Sequence, residues 1–124
     1  MQNNYDFFRN KTPNYQLNDN SSDDKPCTLK FSMCDDKYPM YKLKQDELKE
    51  FIKFAKKVEN MEWKNIKKDK GLRYETLKGI DKPDNISKDI TIRSMRLSKK
   101  FRILGYRQDE YFYIIWFDNN HDTC

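Results

Sequence analysis

The residue types able to do chemistry gather near the end of this chain. Residues 97–122 read LSKKFRILGYRQDEYFYIIWFDNNHD, and they finish on Asp118 and on His121, the single histidine present. An imidazole titrates close to working pH and can give or take a proton. A carboxylate beside it can orient the ring or act as the base itself. Arg102 lies in a strand-like run between Phe101 and Ile103. A guanidinium held there has to meet a carboxylate, a phosphate or water, and its fork suits a phosphate. Arg93 and Arg96 are three positions apart, so a strand sends them to opposite faces and only one can join Arg102. Parity favours Arg96. These residues suit proton transfer beside an anion at the edge of a sheet. Read from residue type alone, a solvent-facing histidine and an ion pair of Arg102 with Asp118 or Glu110 are equally open.

The bulk composition narrows the partners. The chain has 124 residues, a net charge of +5 and 15% aromatics against 36% hydrophobic residues overall. One domain with an aromatic-rich core is expected. The positive balance draws the chain toward nucleic acid or an acidic protein, or reflects a solvated lysine surface. Lys78, Arg93, Lys99, Lys100 and Arg107 are the cations expected to hold a phosphate backbone. Tyr106, Tyr111 and Tyr113 are either base-stacking platforms or core residues. Cys27, Cys34 and Cys124 form no Cys-x-x-Cys and no zinc spacing, which reads as reduced thiols of a cytoplasmic protein. No metal or cofactor motif is present: there is no P-loop, dinucleotide fingerprint or nucleophile elbow. The opening MQNNYDFFRN lacks a secretory pattern, and the longest apolar run, YFYIIWF, is too short to span a bilayer.

The elements that must position these groups follow from periodicity. Residues 1–26 are polar and rich in Asn, Asp and Ser, which predicts a flexible arm ahead of a domain over 27–124. TLKFSMC alternates as a short first strand. Over 45–61, Leu48, Phe51, Ile52, Ala55 and Val58 make one helical stripe, with Asp46 and Glu47 at its start and Lys56 and Lys57 near its end. Trp63 and Ile66 anchor a continuation or a second helix, and Gly71 stops it. The lysines of this region, Lys49, Lys53, Lys56, Lys64, Lys67 and Lys68, form a basic face. Residues 89–97, 99–107 and 110–118, joined by short connectors, predict a three-stranded antiparallel meander. In the last strand Phe112, Ile114 and Trp116 are expected on one face, with Tyr113, Ile115 and Phe117 on the other. The fold class is α+β: a short strand, one or two helices, then the meander in one curved sheet.

In this order the residues resemble the RelE/ParE superfamily, the toxin halves of bacterial toxin–antitoxin pairs. Leu77-Lys78-Gly79 is similar to the family's Leu-Lys/Arg-Gly. Ile92 to Leu97 looks like its first arginine-bearing strand. Lys100-Phe101-Arg102-Ile103 looks like the strand whose arginine is the strongest signature. Asp118-Asn119-Asn120-His121 is similar to the Asp-x-His ending of the HigB and YoeB branches, with two intervening residues where one is usual. The resemblance spans residues 28–122. It implies a RelE-like fold and a metal-independent mRNA endoribonuclease acting at the ribosome, held in check by a cognate antitoxin. Such cleavage needs a base for the 2′-hydroxyl, positive charge on the phosphate and an acid for the 5′-oxygen. The resemblance implies His121 as acid or base, Asp118 as its orienter or as base, and Arg102 with Arg96 on the scissile phosphate. Two other readings share the scaffold: a ParE-like inhibitor of gyrase acting through protein contacts, and a plain binding module.

Overall fold

The computed structural model describes residues 22–119. Strand β1 (Thr28–Lys30) leads through a single 3₁₀ turn (Met40–Lys42) to helices α1 (Gln45–Val58) and α2 (Trp63–Lys68). Strands β2 (Glu75–Leu77), β3 (Ile92–Arg96), β4 (Arg102–Gln108) and β5 (Tyr111–Asp118) follow. The fold is α+β, as expected, but the sheet is larger than a three-stranded meander. Five strands pair in the order β1-β5-β4-β3-β2. β2 to β5 are antiparallel neighbours, and β1 runs parallel to β5 at the edge. A parallel pairing needs a long crossover, and the helices lie within it. β2 carries one apolar residue in three. It is held by its register on β3, Leu77 opposite Ile92 and Glu75 opposite Ser94, rather than by an alternating pattern of its own. Among the described residues no helix is long and apolar enough to cross a membrane.

α1 buries a different stripe from the one expected. Phe51, Phe54 and Val58 are its buried residues, spaced i, i+3 and i+7. Leu48 and Ile52 remain 36% and 50% exposed. The larger ring at Phe54 turns the helix so that two aromatics, rather than two aliphatics, meet the sheet. Phe51 packs edge-on against Phe117 of β5, with ring centres 5.2 Å apart. Trp63 of α2 is fully buried and packs near Phe112 and Tyr74. Its indole N–H donates to the Glu110 carbonyl at 2.9 Å, which satisfies the one polar atom this side chain takes into the core.

The opposite face of the sheet is covered by the chain's own loops. Ile92, Leu104, Ile115 and Trp116 are buried there beneath Met33, Tyr38, Ile80, Ile86 and Ile90. The side-chain parity of β5 differs from simple alternation. Leu104 pairs with Trp116 but Gly105 pairs with Ile114, so Ile115 is an extra residue, a β-bulge. Ile115 and Trp116 therefore both face the loops, and Phe117 returns to the helix side.

The folded body begins before residue 27. Ser22 is buried, Lys64 N–H donates to the Asp23 carbonyl, and Pro26 bridges to Glu62. Residues 22–26 thus belong to the domain rather than to the expected arm, whose remainder lies outside the described residues. Asp23 is the fastener. Its carboxylate accepts from Lys67 Nζ at 2.9 Å and meets Arg107 Nη1 at 2.9 Å. Burial raises the Asp23 carboxyl, but the bonds from Lys67 and Arg107 outweigh it and hold the group below its ordinary 3.8. A lowered carboxyl stabilises the fold above its unfolded value, and that contribution fades as pH falls through the folded value. Asp23→Asn is therefore expected to lose about 1.5 kcal/mol at pH 7. In urea titrations the gap to wild type should close as the pH is taken below 3.8. A gap that persisted unchanged at pH 3 would remove the charge from this account.

Candidate functional site

β3, β4 and β5 end side by side, and their register gathers charge there. Arg96 lies opposite Arg102, and Arg102 lies opposite Asp118. Their strand neighbours Met95, Ile103 and Phe117 sit in the helix-side core, so the charged residues face the other way. For Asp118 this depends on the bulge. Without the extra residue at Ile115, strict alternation would carry Asp118 to the helix side with Phe112 and Ile114.

Arg102 and Asp118 form a buried pair. Arg102 Nε lies 3.5 Å from Asp118 Oδ2, and the two side chains are 9% and 1% exposed. At that distance the contact is an ion pair, and it places a buried negative charge beside the guanidinium. Next to it opens a pocket of about 200 Å³, lined by Arg73, Glu75, Ser94, Arg96 and Arg102. Arg96 N–H donates to the Leu72 carbonyl at 2.6 Å, which draws the segment entering β2 alongside β3. Arg73 pairs with Glu75, Nε to Oε2, at 3.6 Å. Arg96 is half-buried and has no carboxylate partner among the described residues. Three guanidiniums against two carboxylates leave the pocket net positive, with one cation uncommitted.

Arg73, Glu75 and Ser94 escaped the sequence reading. Arg73 adopts φ 48°, a left-handed backbone that costs a residue with a side chain roughly 1–2 kcal/mol and that glycine adopts freely. Backbone strain of this kind concentrates where a side chain is needed in one place. No local pattern announces it. Glu75 and Ser94 become visible only once β2 is placed on β3.

The other expected residues divide. Lys99 and Lys100 lie exposed on the β3–β4 turn at the same end of the sheet as Arg96 and Arg102. Lys78 follows Leu77, which pairs with Ile92, so it leaves β2 at the opposite end. Arg93 is on the helix side. Its guanidinium lies 5.4 Å from the Tyr74 ring centre, and Nη1 donates to Thr76 Oγ1 at 2.8 Å. Arg107 is corrected outright. Its side chain is 1% exposed, paired to Asp23, bonded to the Asp109 carbonyl at 2.7 Å and stacked 4.3 Å from the Trp63 ring centre. It is a core cation with no surface to offer a phosphate backbone. Tyr106 and Tyr113 stack on each other at 5.0 Å in the loop-side core, and burial, with Tyr113 adding to it, pushes the Tyr106 hydroxyl up to about 12. Tyr111 carries Lys30 over its ring at 5.1 Å. His121 lies outside the described residues.

Cys27 is buried with its thiol pushed up to about 12 by desolvation, the behaviour of a packing residue rather than a nucleophile. Comparison of the chain with protein-family models, with curated proteins and with solved structures returned no match.

Proposed function

We propose that this chain is the toxin of a type II toxin–antitoxin pair, a metal-independent mRNA endoribonuclease whose scissile phosphate occupies the pocket of Arg73, Arg96 and Arg102. The observation that carries this reading is the cross-strand pair of Arg96 and Arg102 over that pocket. One guanidinium is paired with a buried carboxylate, and the other has no carboxylate partner among the described residues. A phosphodiester gaining charge in its transition state is stabilised by such fixed cations. The order of a strand, two helices and consecutive antiparallel strands is compatible with that reading without being specific to it.

The chemistry divides among named groups. A base removes the proton of the 2′-hydroxyl, the 2′-oxygen bonds to phosphorus, and the bond to the 5′-oxygen breaks as an acid returns a proton to it. The products are a 2′,3′-cyclic phosphate and a 5′-hydroxyl. Glu75, on the pocket wall and more exposed than Asp118, is the carboxylate assigned as base, its pairing with Arg73 giving way to the substrate. Asp118 is bound up with Arg102 and serves to position it. His121 is the acid. It follows Asp118 by three residues, a reach of at most about 11 Å. Lys99 and Lys100 hold the flanking backbone of the message, at the ribosome in the cytoplasm. A cognate antitoxin would cover the same basic end of the sheet.

Exposed Phe31, Tyr41 and Ile52 favour a second reading, in which the chain acts by protein contact in the manner of a gyrase inhibitor. Inducible expression in bacteria separates the two. The ribonuclease reading expects growth arrest with cleaved transcripts, and loss of both with Arg96→Ala and with His121→Ala. Arrest with intact transcripts and damaged DNA would favour the protein-contact reading, and arrest unaffected by Arg96→Ala would remove the pocket from either.

A further inference from the structure

An apolar patch stays open on the helix side of the sheet. Phe31, which directly follows β1, meets Phe51 of α1 edge-on, with ring centres 6.2 Å apart. Leu48 and Ile52 flank Phe51 along that helix. All three neighbours of the Phe51 ring face solvent, Phe31 by 47%, Leu48 by 36% and Ile52 by 50%. Helical spacing sets Leu48 and Ile52 between the buried stripe of Phe51, Phe54 and Val58 and a stripe of exposed lysines, Lys49, Lys53 and Lys56. We infer that this patch is the docking surface for the chain's own residues 5–8, Tyr-Asp-Phe-Phe. The inference is independent of the ribonuclease reading. It gives Phe31 and Ile52, which favour the protein-contact reading, an occupant within the chain.

Composition, route and charge select this occupant. Residues 1–21 are mostly polar, yet Tyr5, Phe7 and Phe8 fall within four positions. Three rings in so short a run carry apolar area that gains by leaving water. The route is set where this segment joins the domain. Ser22 is buried, and Asp23 is fastened to Lys67 of α2, the helix whose Trp63 and Ile66 lie in the helix-side core. The segment therefore enters the domain on the side that carries the patch. Fourteen residues separate Phe8 from Ser22, a reach of up to about 50 Å. A domain of this size has a radius of gyration of only about 13 Å. Such a tether holds the rings near the patch at an effective concentration of about a millimolar, above that of a second copy in dilute solution. Charge agrees with the placement. Asp6, between Tyr5 and Phe7, is the acid of the run, and the patch borders Lys49, Lys53 and Lys56. These lysines have no carboxylate partner among the described residues. Rings laid on Phe31, Leu48 and Ile52 bring the Asp6 carboxylate beside that stripe.

The test places a photoreactive benzophenone side chain at Phe7 of the full chain and maps the cross-links by mass spectrometry. They should form within one chain, to residues 28–33 and 45–56, at a yield independent of protein concentration. Leu48→Gln with Ile52→Gln keeps good helix formers at two exposed positions, so its circular dichroism should match wild type. The double variant should lower the cross-link yield about fivefold or more, through loss of the apolar contact. Asp6→Asn should lower it about twofold, as expected for an exposed ion pair. Cross-links between two chains, at a yield that rises with concentration, would make a second copy the occupant and overturn the inference. Cross-links to other surfaces, a yield unchanged in the folded double variant, or no cross-link at all would overturn it as well. Each of these results leaves the pocket of Arg96 and Arg102, and the ribonuclease reading with it, untouched.

Discussion

Replacing Gly105 by alanine is expected to remove about 3 kcal/mol of stability or more, the largest loss among the chain's three glycines. A Cβ at this position would overlap the Tyr113 carbonyl oxygen and stand 2.9 Å from the Tyr113 carbonyl carbon and from Phe112 Cε2. Two of these are backbone atoms of the neighbouring strand, which cannot swing aside as the end of a lysine can. Gly105 sits where the register of β4 on β5 shifts, opposite Ile114 and beside the bulge at Ile115. Glycine within a strand marks such places because the partner backbone approaches the position a side chain would fill. Forcing the strands apart here disturbs the candidate site as well as stability, because the bulge is what turns Asp118 toward Arg102. Gly79 provides the internal comparison. Its φ is +73°, and no atom lies within 4 Å of the place a methyl group would take, so alanine there costs only the left-handed backbone, roughly 1 kcal/mol. Urea midpoints of the two variants decide the matter. A Gly105→Ala protein within about 0.5 kcal/mol of wild type would mean that β4 and β5 are spaced differently from this register.

The same bulge explains where the sequence was readable and where it was not. The order of strand, helices and strands followed from periodicity, because α1 and the flanks of β3 and β4 alternate or repeat clearly. The pairing of Arg96, rather than Arg93, with Arg102 followed from parity alone, and the register agrees. The run YFYIIWF carries no such information. Apolar on both faces, it accepts a one-residue slip without exposing a polar group, so the alternation of Trp116 and Phe117 could not be fixed locally. Arg107 illustrates the related failure of residue type. It looks like Arg102 in sequence, yet it shares the parity of Ile103 and meets Trp63 and Asp23, residues far from it along the chain. Arg73 and Glu75 were hidden for a third reason. β2 has too few apolar residues to announce a strand, and the left-handed turn before it is set by tertiary contacts such as Leu72 on Arg96. Charge found by type was thus only half informative, and the direction each strand gave it decided the rest.

The Arg102–Asp118 pair predicts two losses that a single substitution would confuse. Arg102→Ala is expected to destabilise the fold by about 3 kcal/mol, because it leaves a carboxylate that is 1% exposed without its cation. On the proposed ribonuclease reading it is also expected to lower transcript cleavage at least about 100-fold, through loss of a fixed positive charge at the phosphate. A drop in activity from this variant alone could therefore reflect an unfolded protein. Replacing both partners separates the terms. In Arg102→Met with Asp118→Leu neither member of the pair is left facing an empty place, and apolar side chains extend the loop-side cluster of Leu104 and Trp116. A buried ion pair exchanged for well-packed apolar groups commonly leaves stability unchanged or raises it. The double variant should therefore unfold near the wild-type urea concentration while cleaving no better than Arg102→Ala. If it is stable and still cuts RNA at the wild-type rate, the pair is structural and the phosphate is held elsewhere. If it is as unstable as Arg102→Ala, the site demands the charges themselves for folding, and the pair's contribution to catalysis has to be read from Arg96 instead. Arg96 can carry that comparison because it lines the same pocket without a carboxylate to strand, so its removal changes the charge of the pocket and leaves the buried pair intact.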